Sequence, residues 1–323
     1  MQNRRKFIRN GAGLVAGSLA IPTFFHSPLL RTPVSPHSHT PILPYAHTSL
    51  YPPPGLQLFT FFDIIDTDVE GTLKRIADIG YIEIESAFSK KGGYYGYTAK
   101  QFAALIKSLA LVWKSHHVLG APFKMPPGMK VPVGADGKPI SLGKIRNLRD
   151  NMQELIDEAA EGGVEYFVCA NTPINTMDDI KSSIKVLNKT DEACKKAGLR
   201  FAYHNHDAEF HAVDGKVPYQ LFLTETNMKM ELDLAWAIKG GQDPIELFDK
   251  NPGRFPLWHV KDLDNTHETI LPVGTGAIDF KRIFAASEKA GLKYYFVEHD
   301  MPKEPWESIT KSISTLKELA PSK

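Results

Sequence analysis

Phe201-Ala202-Tyr203-His204-Asn205-His206-Asp207 follows a long amphipathic run, Met177 to Ala197, which Gly198 ends. Apolar spacing changes there from a helical to a two-residue period, so Leu199–His206 reads as a strand entered from a helix. Period-2 geometry places His204 and His206 on one face. Three later strand-like segments also finish in side chains that can hold a metal: Met230-Glu231-Leu232-Asp233, Leu257-Trp258-His259-Val260-Lys261 and Phe296-Val297-Glu298-His299.

Working outward, the same alternation repeats. The pattern predicts strands at Leu56–Phe62, Tyr81–Ser86, Leu111–Val118, Val164–Ala170, Leu199–His206, Met228–Asp233, Phe255–Lys261 and Lys293–Glu298. Helices are expected at Asp68–Ile79, Thr98–Leu109 (with Thr98 as N-cap), Gly143–Glu161, Met177–Ala197, Val217–Glu225, Pro244–Lys250, Asp279–Ala290 and Pro305–Leu319. Eight strand–helix units over about 265 residues call for a parallel sheet closed into a (β/α)8 TIM barrel. An open doubly wound sheet would favour a glycine-rich turn after an early strand, and no Gly-x-Gly-x-x-Gly stands at a strand-to-helix turn. Leu119 to Leu142 is a long loop expected to cover the C-terminal mouth of the barrel.

Before the barrel the composition changes. Residues 1–30 read as a twin-arginine export signal: Asn3-Arg4-Arg5-Lys6-Phe7-Ile8-Arg9 precedes a weakly apolar stretch, Gly11 to Phe25. That stretch falls short of the about 20 apolar residues of a spanning helix. Residues 31–54 read as a linker, because Pro33, Pro36, Pro41, Pro44 and Pro52 to Pro54 oppose regular structure. These readings predict a periplasmic or otherwise exported barrel, with no membrane attachment after signal removal.

The whole chain has 38 Lys and Arg against 37 Asp and Glu, and residues beyond the signal retain 34 bases against the same 37 acids. A slightly acidic barrel is a poor binder of phosphate backbones, so nucleic acid is not expected as a partner. The two cysteines, Cys169 and Cys194, are no disulfide framework; both read as half-buried thiols.

A barrel presents chemistry where its strands end. His206, Asp233, His259 and Glu298 fall at that level, with His204 one layer deeper. Two imidazoles and two carboxylates suit one divalent ion: Mn²⁺ is favoured by the carboxylates, with Zn²⁺, Co²⁺ and Fe²⁺ as alternatives. The expected ligands are His204, Asp233, His259 and Glu298. Glu298, His206 and Glu85 are the candidates for moving protons. His117, Asn171, Glu209, Trp236 and Lys261 are candidates for touching substrate. Each has a plainer reading: Asp233 as a helix cap, Glu298 as the partner of Lys261 or Lys293, and Trp258 as core. Their coincidence at one strand level favours the site.

At Tyr203-His204-Asn205-His206-Asp207-Ala208-Glu209-Phe210, Glu231-Leu232-Asp233, Pro256-Leu257-Trp258-His259-Val260-Lys261-Asp262 and Val297-Glu298-His299-Asp300, the chain resembles the sugar phosphate isomerase/epimerase family, the xylose isomerase-like barrels. The resemblance runs from about Gly55 to Leu319. Its exported twin-arginine branch resembles bacterial proteins that act on 3-keto sugars and 3-keto-glycosides. The resemblance implies a metal set of Glu, Asp, His and Glu. Asp233, His259 and Glu298 match the last three, and His204 or His206 stands where the first Glu is expected. It further implies a small carbohydrate substrate, an enediolate from a carbonyl beside a hydroxyl, and a homo-oligomer. Isomerase, epimerase and 3-keto-glycoside lyase or hydratase remain open on this reading. So does a sugar-binding protein without catalysis, while the DNA-repair endonucleases of the same superfamily fit the charge poorly.

Overall fold

The computed structural model describes residues 51–122 and 145–319, so the signal and nearly all of the linker lie outside it. Most of the long loop lies outside it too. Among the described residues eight parallel strands close into a barrel: β1 (Pro54–Gln57), β2 (Glu83–Ser86), β3 (Val112–Leu119), β4 (Tyr166–Asn171), β5 (Arg200–His204), β6 (Lys229–Asp233), β7 (Leu257–Val260) and β10 (Tyr294–Val297). Helices α1 (Val69–Ile79), α2 (Ala99–Ser108), α3 (Leu148–Gly162), α4 (Met177–Lys196), α5 (Pro218–Glu225), α6 (Leu234–Lys239), α7 (Pro244–Lys250), α8 (Phe280–Ala285), α9 (Ser287–Ala290) and α10 (Pro305–Leu319) alternate with the strands. A small antiparallel hairpin, β8 (Asp262–Leu263) with β9 (Ile270–Leu271), rises directly after β7.

Strand alternation sorts the apolar residues into two cores. Phe167, Phe201, Tyr203, Leu232, Trp258 and Val297 point outward into the layer between strands and helices. Tyr166, Val168, Ala202, Leu257 and Phe296 fill the barrel interior as a plug beneath the strand ends. Gly55 is required by that plug: a Cβ there would stand 2.5 Å from the Phe296 ring. Trp258 is core, its ring parallel to Phe248 with centroids 5.0 Å apart. Cys169 and Cys194 are free thiols and fully buried, deeper than expected.

Several boundaries differ from the sequence reading for local reasons. β1 ends at Gln57 and not Phe62, because the Gln57 side chain accepts from Phe59 N and turns the chain into a 3₁₀ helix over Leu58–Phe61. Residues 280–290 form two short helices divided at Ala286. α3 starts at Leu148, where Asn147 caps it. Thr98 caps α2 as expected, with Gln101 completing a reciprocal capping box. α6 and the β8–β9 hairpin are additions that hydrophobic periodicity did not announce.

Candidate metal centre

β5 also ends two residues early, at His204, and this decides which histidine enters the centre. Beyond it, the Asn205 carboxamide takes over the ladder by accepting from Asp233 N at 3.1 Å. The strand stops there, and the chain carries His206 onward as a loop residue. Its ring stands edge-on to His204, with centroids 5.0 Å apart, half-buried beside Trp236.

Register sets the depth of the rest. Asp233 pairs with His259 across β6 and β7, whereas His204 pairs with Glu231 across β5 and β6. Glu298 immediately follows β10, and its N–H donates to the Val260 carbonyl. His204, Asp233, His259 and Glu298 are all buried, and one ligand atom from each lies within 4.8 Å of the others. His259 Nδ1 is 2.8 Å from Glu298 Oε2 and 3.9 Å from Asp233 Oδ2, and His204 Nε2 is 3.9 Å from that same Asp233 oxygen. Asp233 divides its oxygens: Oδ1 accepts from Trp236 N at 2.9 Å and caps α6, while Oδ2 faces the cluster. The helix-cap and metal readings thus apply to one side chain.

Beneath this group lies a second one, Glu85, His117 and Glu231, which also reaches His204 and His259. His259 Nε2 stands 2.5 Å from Glu85 Oε1, and His117 Nε2 stands 2.5 Å from Glu231 Oε2 and 3.1 Å from Glu85 Oε1. Gln57 Nε2 donates to Glu85 Oε1 at 2.7 Å, and Ser115 Oγ donates to Oε2. The structure therefore sets Glu85 below the cluster with both oxygens engaged, and not at the mouth where a proton carrier for substrate would stand. His117, expected to touch substrate, stands beside His204 and His259 with its Nε2 engaged by Glu85 and Glu231.

Lys261 is fully buried, and its Nζ lies 2.9 Å from Asp233 Oδ2, 2.5 Å from Glu298 Oε2 and 2.7 Å from Asp300 Oδ2. Its approach to Asp233 lies outside hydrogen-bond geometry, so that oxygen remains an orphaned acceptor. His204 Nδ1 and Glu231 Oε1 are likewise buried without a hydrogen bond. Unpaired buried polar atoms carry a real cost. The orphaned Asp233 Oδ2, which faces the cluster, together with a two-imidazole, two-carboxylate donor set, fits a divalent transition metal.

Charge follows proximity. Burial opposes ionisation of Glu85 and Glu298, yet cationic neighbours hold both carboxyls below the ordinary range: His117 and His259 for Glu85, Lys261 and His259 for Glu298. Burial would lower His117, but Glu85 and Glu231 raise it to about 9. Burial and then the Glu85 charge push Glu231 up to about 7. Burial, then His259 and its other cationic neighbours, keep His204 neutral.

The remaining expected residues are placed as follows. Glu209 is buried, accepting from Tyr203 Oη at 2.6 Å and from His206 N at 3.0 Å, so it holds the loop that carries His206. Trp236 stands near the centre, its ring 5.6 Å from Lys261 Nζ. Asn171 ends β4, its carbonyl accepting from Gly120 N, outside the ligand group. Sequence reading assigned no role to Glu231, Asp300 or Asp262. Asp262 is buried and accepts from Gly274, Gly276 and Ile278 N–H groups, fixing the loop after the hairpin. Glu231 had a signal, since it precedes Asp233 by two on the same strand face. A groove of about 990 Å³ lined by Arg75, His299, Lys303 and Trp306 contains none of the ligand residues.

Residues 73–319 match the family model described as Xylose isomerase-like TIM barrel. The chain belongs to that family. It is similar to an inosose dehydratase of Lacticaseibacillus casei, 22% identical over 176 residues that cover 48% of this chain and 59% of the relative. The matched segments span between about a third and three-fifths of the curated relatives' length. Among solved structures it is similar to a sugar phosphate isomerase/epimerase from Parabacteroides distasonis ATCC 8503, with TM-score 0.64, 27% identity, and coverage of 82% of this chain and 93% of that one. The IOLI protein with a binding zinc atom shares the fold at TM-score 0.59 and 15% identity, covering 83% of this chain and 96% of its own.

Proposed function

We propose that this family member is a divalent-metal-dependent enzyme that moves a proton beside the carbonyl of a keto sugar or keto-glycoside, giving an isomer or epimer. The observation that carries the reading is the convergence of His204, Asp233, His259 and Glu298 within 4.8 Å of one another at the strand ends. These four would hold the ion. When bound, it would draw electron density from the substrate carbonyl and acidify the neighbouring C–H. Similarity to the Parabacteroides distasonis protein supports the isomerase or epimerase outcome.

The chain's own residues supply the remainder. His206, half-buried at the rim, removes or returns the carbon-bound proton, with Glu298 as the alternative carrier. Lys261 places an ammonium where an oxygen gains negative charge. The Trp236 ring offers a flat face to a sugar. A second reading, loss of water or an aglycone from the next carbon, is favoured by the inosose dehydratase relatives and by Lys261 as a donor to a leaving oxygen. Export through the twin-arginine signal is part of the proposal. Among the described residues no helix is long and apolar enough to cross a membrane.

The test pairs elemental analysis of the purified chain with a panel of free ketoses and keto-glycosides in D₂O with Mn²⁺. Deuterium uptake without mass loss identifies an isomerase or epimerase. Loss of water or aglycone identifies a lyase or dehydratase. Sugar binding without a stoichiometric ion or turnover would leave a non-catalytic binder and overturn the proposal.

A further inference from the structure

Each imidazole of the ligand group uses its two nitrogens in opposite directions. His259 turns Nδ1 toward Glu298 and Asp233, and Nε2 downward to Glu85 at 2.5 Å. His204 turns Nε2 toward Asp233, and Nδ1 downward to Glu231 Oε2 at 3.4 Å. A neutral imidazole has one N–H and one lone pair. A fixed carboxylate at one nitrogen accepts the N–H and leaves the lone pair at the other.

Resting on the metal reading above, we propose that Glu85 and Glu231 are positioning residues. Glu85 fixes the tautomer and ring plane of His259 through the 2.5 Å contact at Nε2, and Glu231 acts at one remove by holding His117 against that ligand through its own 2.5 Å contact. His117 lies between the carboxylates and contacts both through Nε2. Its ring is nearly parallel to that of His259, at 6° with centroids 5.1 Å apart, so it also limits rotation of that ligand. Gln57 and Ser115 grip Glu85 from the barrel wall and keep it from swinging up to the substrate level.

The same deep side chains could be read as a second ion position, since His117, His204, Glu231 and His259 also bring ligand atoms within 4.8 Å. The hydrogen bonding argues otherwise. His117 Nε2 and Glu231 Oε2 already share a 2.5 Å contact, and His259 Nε2 is committed to Glu85. A second ion would have to break both contacts, whereas the positioning role uses them as they stand.

The experiment compares the wild-type chain with Glu85→Gln and Glu231→Gln. It measures Zn²⁺ and Mn²⁺ affinity by chelator competition, ions per chain by elemental analysis, and Tm of the metal-free proteins. Each variant should bind one ion about 10–100-fold more weakly, the usual range for loss of an outer partner. The metal-free Tm identifies a variant that has failed to fold, and the other variant then carries the test. Wild-type affinity in a folded Glu85→Gln chain would overturn the positioning role while leaving the metal reading intact. Two ions per wild-type chain would overturn it in favour of the deep ion position. No ion in the wild type would remove both readings.

Discussion

The barrel interior contains two layers built from the same chemistry and placed in different surroundings. The upper layer, His204, Asp233, His259 and Glu298, meets Lys261, Trp236 and His206 at the mouth. The lower layer, Glu85, His117 and Glu231, is enclosed by strands and by the Gln57 and Ser115 side chains. Carboxylates in the lower layer are neutralised by imidazoles, and those in the upper layer face an ammonium. The difference shows that residue type alone does not define a reactive group; register decides whether a carboxylate meets substrate or another side chain.

The sharpest way to break this comparison is to remove an upper-layer ligand. Asp233→Asn keeps an oxygen for the α6 cap and removes the charge, so it should fold with near-wild-type Tm. Its metal affinity should fall by more than the about 100-fold expected for an outer partner. Asp233→Ala and Glu298→Ala should likewise lose the ion and activity; Asp233→Ala should also lose about 0.5–2 kcal/mol through the missing cap. Affinity titrations and thermal melts separate the two contributions. Full activity in a metal-free Glu298→Ala chain would end the metal mechanism.

Lys261 tests what balances the upper layer. Its ammonium contacts Asp233, Glu298 and Asp300, and burial that would lower its pKa is outweighed by their charges. Lys261→Met leaves His259 as the remaining cation beside Asp233 and Glu298, too little for two buried carboxylates, so the metal-free protein should lose about 3–5 kcal/mol. Added divalent ion should recover much of the loss, because it binds only the folded chain. Equal metal-free Tm values for variant and wild type would mean that Lys261 serves substrate alone.

The barrel and the upper layer were largely legible in the sequence, because both rest on periodicity. Strand–helix alternation gives the fold, and a polar residue at each late strand end gives the convergence. Partnership was not legible. Glu85 and His117 read as side chains free to meet substrate, whereas both are engaged by residues of other strands, which spacing along one strand does not reveal. Glu231 was visible as the inward neighbour of Asp233, but its pairing with His204 depends on how β5 and β6 align. The strand's end was not legible for another reason: the Asn205 side chain takes over the ladder, so His206 stands in a loop beside His204 and not on the strand itself.

A third buried carboxylate, nearer the N-terminal floor, extends the comparison with the smallest expected effect. Glu83 is inward, two residues before Glu85, with Lys114 Nζ 3.7 Å away. Burial raises its pKa from 4.5 to about 7; Lys114 partly offsets this and Glu165 adds to it. The folded chain therefore holds this proton more tightly than the unfolded chain does. The associated stability is fully present below about pH 4.5 and is lost as pH rises through about 7. Glu83→Gln should remove that loss, stabilising the protein by roughly 2–3 kcal/mol at pH 8 and by little near pH 4.5. Lys114 retains its hydrogen bond to Tyr294 Oη and its place over that ring, so it is not stranded by the change. Thermal melts of both proteins from pH 4.5 to 8 give the difference directly. A constant offset across that range would assign Glu83 a packing role; a widening gap would mark it as a buried acid whose lone lysine compensates less well than the paired imidazoles do for Glu85.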